Sequence, residues 1–160
     1  MKLSIIIPFH AYKHYLKQCF QSLKEQSFKD YETILIMDHV DENIDEIISE
    51  YIEDINLKVI YSEKRGVASA RNAGIDYASG DYVYFLDSDD YVLEDTFSAL
   101  FEVERNEDIV YGLVKNTWNN KANYLEKLEK KLLENNENIV VNEKFPSLPC
   151  MADGKKFELF

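Results

Sequence analysis

Two cysteines in the chain, Cys19 and Cys150, are too few for a disulfide framework and have no metal-ligand spacing. The sequence therefore reads as cytosolic with reduced thiols, and Cys19 reads as a small core residue on a helix. Long apolar runs are also missing. The N-terminus "MKLSIIIPFH" holds only a short apolar-rich stretch before Pro8, too brief for a signal peptide or a membrane span. Positive charge is scarce: 18 Lys and Arg against 30 Asp and Glu give a formal net charge of −12. That balance excludes a broad basic surface for nucleic acid or for an anionic membrane. A small anionic substrate stays compatible, since one local cation can overrule the global field. There is no G-x-G-x-x-G, no Walker-type phosphate loop, no repeat and no low-complexity tract.

With 46% hydrophobic and 13% aromatic residues, the 160-residue chain can bury the core of one globular domain. Leu3 to Ile7 form a continuous apolar run stopped by Pro8, which suits a strand buried on both faces. Tyr12, Leu16, Cys19, Phe20 and Leu23 then recur at helical spacing. "YETILIMD" reads as a second strand, followed by a helix through Ile44, Ile47, Ile48, Tyr51, Ile52 and Ile55 with an acidic solvated face. "NLKVIYS" is a third strand, "GVASARNAGIDYASG" a third helix bounded by Gly66 and Gly80, and "DYVYFLD" a fourth strand. Strands alternating with helices predict βαβ units: an α/β, Rossmann-like, mostly parallel sheet flanked by helices.

Beyond Asp90 the pattern weakens. "EDTFSALFEVERNE" reads as a helix and "DIVYGLVK" as a strand. Tyr124, Leu125, Leu128, Leu132 and Leu133 mark an amphipathic helix, and a short last strand is interrupted by Pro146 and Pro149. The expected organisation is a core over residues 1–115 and a helical, irregular extension of the same domain over residues 116–160.

In an open parallel sheet, ligands gather outside the carboxyl ends of the strands. Those ends carry Pro8, Phe9 and His10 on the first strand and Asp38 and His39 on the second. The fourth ends in "FLDSDDY", with Asp87, Ser88, Asp89 and Asp90. Such carboxylates repel one another and call for a positive partner. Arg71 on the third helix can supply one, and so can a divalent cation. Asp87 and Asp89, two apart, point the same way if the backbone stays extended, and two hard oxygen ligands suit Mg²⁺ or Mn²⁺ on a diphosphate.

"SIIIPFHAYKHYLKQCFQSLKEQSFKDYETILIMD" and "GVASARNAGIDYASGDYVYFLDSDDY" resemble the N-terminal half of a family 2 glycosyltransferase with the GT-A fold. The resemblance implies a nucleoside diphosphate sugar, usually a UDP or GDP sugar, transferred with inversion to a glycan, glycolipid or other glycoconjugate in polysaccharide synthesis. By that likeness Pro8 and His10 lie at the nucleobase, Asp38 contacts uracil, and Arg71 lies near the diphosphate. Asp87 and Asp89 match the metal-binding D-x-D, with Asp89 as direct ligand, Asp87 nearer the sugar or ribose, and Ser88 between them. Asp90 orients the loop. Met37 and His39 replace the first aspartate and the glycine of the family's V-D-D-G-S. The family's catalytic base lies well downstream of the metal motif; Asp153 and Glu158 are the late acidic candidates, and the base stays unassigned. A truncated or naturally short homologue that binds nucleotide sugar or a protein without turnover is the alternative. A homo-oligomer, and peripheral membrane association through a partner or a further C-terminal region, stay open. A phosphoacceptor receiver domain is disfavoured, because it needs its acidic pair on the first strand, which ends "IIIPFH".

Overall fold

A computed structural model describes residues 2–102, 109–111 and 150–153. Six strands form one sheet: β1 (Leu3–Phe9), β2 (Tyr31–Met37), β3 (Leu57–Tyr61), β4 (Tyr82–Phe85), β5 (Ile109–Tyr111) and β6 (Cys150–Asp153). The helices are α1 (Lys13–Lys24), α2 (Asp45–Tyr51), α3 (Val67–Tyr77) and α4 (Thr96–Glu102). Strand order is β3-β2-β1-β4-β6-β5. β1, β2, β3 and β4 are parallel, and β6 runs antiparallel to β4. This is the mostly parallel, helix-flanked α/β sheet expected. Met1–Val110 with Pro149–Phe160 make one compact unit and Tyr111–Leu148 another. The amphipathic helix expected around residues 124–133 lies outside the described residues. No helix among the described residues is long and apolar enough to cross a membrane.

The apolar run of β1 has two cores to fill. Leu3, Ile5, Ile7 and Phe9 join Leu16, Cys19, Phe20 and Leu23 of α1 on one face. Ile6 joins Ile34, Ile36, Val83 and Ala70 of α3 on the other. A side chain at Gly74 would overlap Ile6 Cγ2, so the bare backbone is what lets α3 sit this close to the sheet.

β1 does not stop at Pro8, as the sequence suggests, but runs on to Phe9. The reason lies in ladder geometry. Ile6 accepts from Leu86 N–H on the β4 side and Phe9 from Asp38 N–H on the β2 side, so residue 8 would donate toward β4. Pairing with β4 ends at Ile6, and the proline removes no sheet hydrogen bond. The second helix is also shorter than its isoleucine pattern, with α2 closing at Tyr51.

At the amino end of the sheet, Glu32 is fully buried yet charged. Burial alone would raise its pKa, but Lys58 Nζ (2.6 Å), the hydroxyl (2.6 Å) and N–H (2.7 Å) of Ser79 and Ser4 Oγ (2.7 Å) all donate to it. The donors win, and the pKa falls from 4.5 to about 2. Because the folded value is depressed, Glu32 contributes stability above its unfolded pKa, and that contribution fades as pH falls toward the folded one. The shift corresponds to on the order of 3 kcal/mol. Glu32→Gln should therefore be less stable near neutral pH, and its stability should fall less steeply than that of wild type as pH drops from 4.5 to about 2, as read by urea denaturation across pH.

Candidate functional site

The strand order places β2 and β3 on one side of β1 and β4 on the other. The chain reverses its winding between β1 and β4, and the carboxyl ends there open the crevice in which α/β sheets bind ligands. His10, Asp38 and Asp87 follow β1, β2 and β4 onto this rim.

His10 and Asp38 meet directly. The His10 Nδ1–H donates to the Asp38 carbonyl at 2.7 Å, which leaves Nε2 as the acceptor of the neutral ring. The ring itself is exposed, while Asp38 is 8% exposed. Asp38 Oδ2 accepts the Gly66 N–H at 3.0 Å, and Oδ1 lies 3.2 Å from His39 Nδ1. Gly66 has φ of 112°, a conformation that favours glycine, and it leads into α3. Asp38 thus ties the ends of β1 and β2 to the start of the helix that carries Arg71.

Arg71 crosses from α3 to β4, its Nη2 donating to Asp87 Oδ1 at 2.7 Å and its guanidinium lying 5.8 Å from the Phe85 ring centre. Its Nε is buried without a hydrogen-bond partner among the described residues. One donor of this cation is engaged by Asp87, and the unpartnered Nε beside it is enclosed by the protein.

The aspartates differ from the expected extended geometry. β4 ends at Phe85, and the Asp90 N–H bonds back to the Asp87 carbonyl at 3.0 Å. Residues 87–90 therefore form a turn, and strand alternation does not orient Asp87 and Asp89. The turn gathers the carboxylates instead: partial burial raises the Asp90 pKa, and Asp89 and Asp87 raise it further. Among the described residues no three His, Cys, Asp or Glu side chains form a ready metal cage. The donor set suits a hard divalent cation that takes two carboxylate oxygens and fills its other positions with water or phosphate.

The sequence matches the family model described as glycosyl transferase family 2 over residues 4–154. The chain belongs to this family. Glycosyltransferase GlyA of Streptococcus pneumoniae is 34% identical over 114 residues, covering 69% of this chain and 16% of that protein. The uncharacterized glycosyltransferase EpsJ of Bacillus subtilis is 39% identical over 111 residues, covering 68% of this chain and 32% of that protein. The chain thus spans less than half the length of these curated relatives. Among solved structures, residues 1–349 of S. aureus TarS in complex with UDP superpose with a TM-score of 0.63 at 32% identity, over 68% of this chain and 34% of that one. The same TarS fragment has been solved with UDP-GlcNAc. The fold is that of the GT-A glycosyltransferases.

For this family 2 chain, the backbone of Asp153, one of the two late acidic candidates, lies away from the rim. Asp153 pairs in register with Tyr82, at the amino end of β4, roughly 16 Å of extended chain from Asp87. Glu158 lies outside the described residues. Met37 is buried in the apolar core. Other residues near the rim were missed by sequence reasoning. Glu42 accepts the Tyr12 N–H (2.6 Å) and Lys13 N–H (3.3 Å) at the start of α1, where a carboxylate complements the helix dipole. Cys19 donates weakly to the Asp87 carbonyl, 3.9 Å from its sulfur.

The two anchored side chains should respond differently to removal. Asp38→Ala leaves the Gly66 N–H without its acceptor and should cost about 1–3 kcal/mol. Arg71→Ala breaks a partly exposed pair and should cost less than about 1 kcal/mol. Chemical denaturation of both variants measures the contrast.

Proposed function

We propose that the rim binds a nucleoside diphosphate sugar, a UDP sugar before others, with Mn²⁺ or Mg²⁺ between its diphosphate and the Asp87–Asp90 turn. The protein carrying this domain would transfer the sugar, with inversion, to a glycan, glycolipid or other glycoconjugate acceptor. The observation that carries the reading is the Arg71–Asp87 pair beside an acidic turn at the switch point of the sheet. The TarS fragment solved with UDP and with UDP-GlcNAc supports the choice of donor.

Each residue then has a role that its surroundings permit. Pro8 lies near the end of the β1 ladder before the rim, and the exposed His10 ring, held by its Nδ1–H, offers a face for the nucleobase. Asp38 is already bonded, but each carboxylate oxygen can accept a second hydrogen bond, so the base N–H has a place. Arg71 turns its remaining donor capacity toward the diphosphate. Asp89 is the direct metal ligand, with Asp87 and Ser88 nearer the sugar or ribose. When bound, the cation would offset the charge that grows on the diphosphate as the sugar–phosphate bond breaks. Inversion also requires a base to take the acceptor hydroxyl proton as the new glycosidic bond forms. A cytoplasmic setting belongs to this reading and suits a chain whose Cys19 is free and buried.

Mn²⁺ with UDP should raise the melting temperature of the wild-type chain by a few degrees, and Asp89→Ala should abolish the rise. At a hundredfold excess over Kd the stabilisation is about 2.7 kcal/mol. A variant that responds as wild type does would remove Asp89 from the site.

A further inference from the structure

Ser22 and Gln26 are among the few polar residues in the core, 3% and 1% exposed. With Cys19 they stand at i, i+3 and i+7, Cys19 and Ser22 on α1 and Gln26 just past its end. This spacing falls on the side of the helix that should be apolar. Outside α1 their partners lie in one segment of chain, which runs from the aspartate turn through the loop that leaves it to the start of α4. The Ser22 hydroxyl donates to the Cys19 carbonyl (2.7 Å) and accepts the Val92 N–H (3.2 Å). The Gln26 amide donates to the Ser22 (3.1 Å) and Leu93 (2.5 Å) carbonyls and accepts the Phe97 N–H (3.4 Å). Ser27 continues the series, its N–H donating to the Glu94 carbonyl at 3.0 Å and its hydroxyl lying 2.7 Å from that of Ser98.

Burying an amide and a hydroxyl costs free energy that apolar side chains would not, and complete hydrogen bonding only offsets it. What these groups add is position. Leu86 N–H bonded to the Ile6 carbonyl fixes the entry to the acidic turn, and Val92 N–H bonded to Ser22 fixes its exit. Between those two points the chain carries Asp87, Asp89 and Asp90, whose mutual repulsion favours opening the turn. A turn clamped at both ends keeps the carboxylates together before any ligand arrives, which is preorganisation of the donor set.

We propose that the Cys19–Ser22–Gln26 stripe is a positioning device that holds the Asp87–Asp90 turn closed and so sets its affinity for the divalent cation with its nucleotide. The proposal rests on the metal–diphosphate reading above. It separates these residues from ordinary core packing, because loosening the stripe should change the turn and the metal more than it changes the sheet.

The test compares Gln26→Ala and the milder Ser22→Ala with Thr33→Val, which breaks a buried hydrogen bond to the Ile55 carbonyl in the amino-terminal half of β2. Two quantities are read: hydrogen exchange at the Asp90 amide without ligand, and Mn²⁺ affinity of the UDP-loaded chain by calorimetry. The Asp90 N–H bonds to Asp87, not to the stripe, so its exchange reports the turn itself. Both stripe variants should accelerate that exchange and weaken Mn²⁺ binding by about tenfold. Ser22→Thr, which keeps the hydroxyl, should restore much of both, while Thr33→Val should lower stability and leave both unchanged. Wild-type exchange and affinity in destabilised Gln26→Ala and Ser22→Ala would overturn the proposal. If Gln26→Ala does not fold, Ser22→Ala decides alone. Wild-type protein that does not bind Mn²⁺ with UDP would overturn the donor-site reading and the metal half of this proposal. Exchange at Asp90 would still decide whether the stripe holds the turn.

Discussion

Like charges on one turn are the constraint around which the described fold is arranged. Asp87, Asp89 and Asp90 share one turn, where partial burial, and after it the charges of Asp89 and Asp87, raise the Asp90 pKa. Such a turn opens unless something offsets the repulsion or fixes the backbone. The structure does both. Arg71 comes from α3 to meet Asp87, and α3 starts where it does because Asp38 receives the Gly66 N–H at its leading end. The switch in strand order between β1 and β4 brings these elements to one rim although they are distant in sequence.

The opposite end of the sheet treats charge in the opposite way. Glu32 is fully buried, with both oxygens engaged by donors from Ser4, Lys58 and Ser79, so no ligand can reach its carboxylate. It ties β1, β2, β3 and the approach to β4 together as a structural joint. On the rim Asp38 is buried, whereas Asp87 is half-buried and Asp89 and Asp90 are exposed, with acceptor capacity in reserve. Saturation marks a carboxylate that holds the fold together, and reserve marks one that can take part in binding. Strand polarity sorts the two kinds to opposite ends.

Much of this was legible in the sequence, because the signals were local. The run from Leu3 to Ile7 reads as a strand buried on both faces, and the structure gives it two cores. Alternating strands and helices give the parallel sheet, and with it the rim that brings His10 to Asp38 and Arg71 to Asp87. Two local rules misled. Pro8 looked like a stop, but its missing N–H faces the side on which β1 has already lost its neighbour. Asp87 and Asp89 looked like alternate residues of a strand, but the Asp90 N–H closes a turn after Phe85. The contacts of Ser22, Gln26 and Glu42 were not legible at all. Their partners are the backbone of segments far along the chain, and nothing at their own positions encodes which carbonyl or N–H the fold will bring to them.

The central claim is that the Asp87–Asp90 turn, and no other acidic surface of this strongly acidic chain, receives the cation with its nucleotide. Paramagnetic broadening by substoichiometric Mn²⁺ in the presence of UDP, read on assigned backbone amides, tests it directly. The account predicts broadening centred on Ser88, Asp89 and Asp90 and reaching Arg71, with the amides of Asp45 to Asp54 around α2 unaffected. Broadening centred on α2, or spread evenly over the acidic surface, would contradict it.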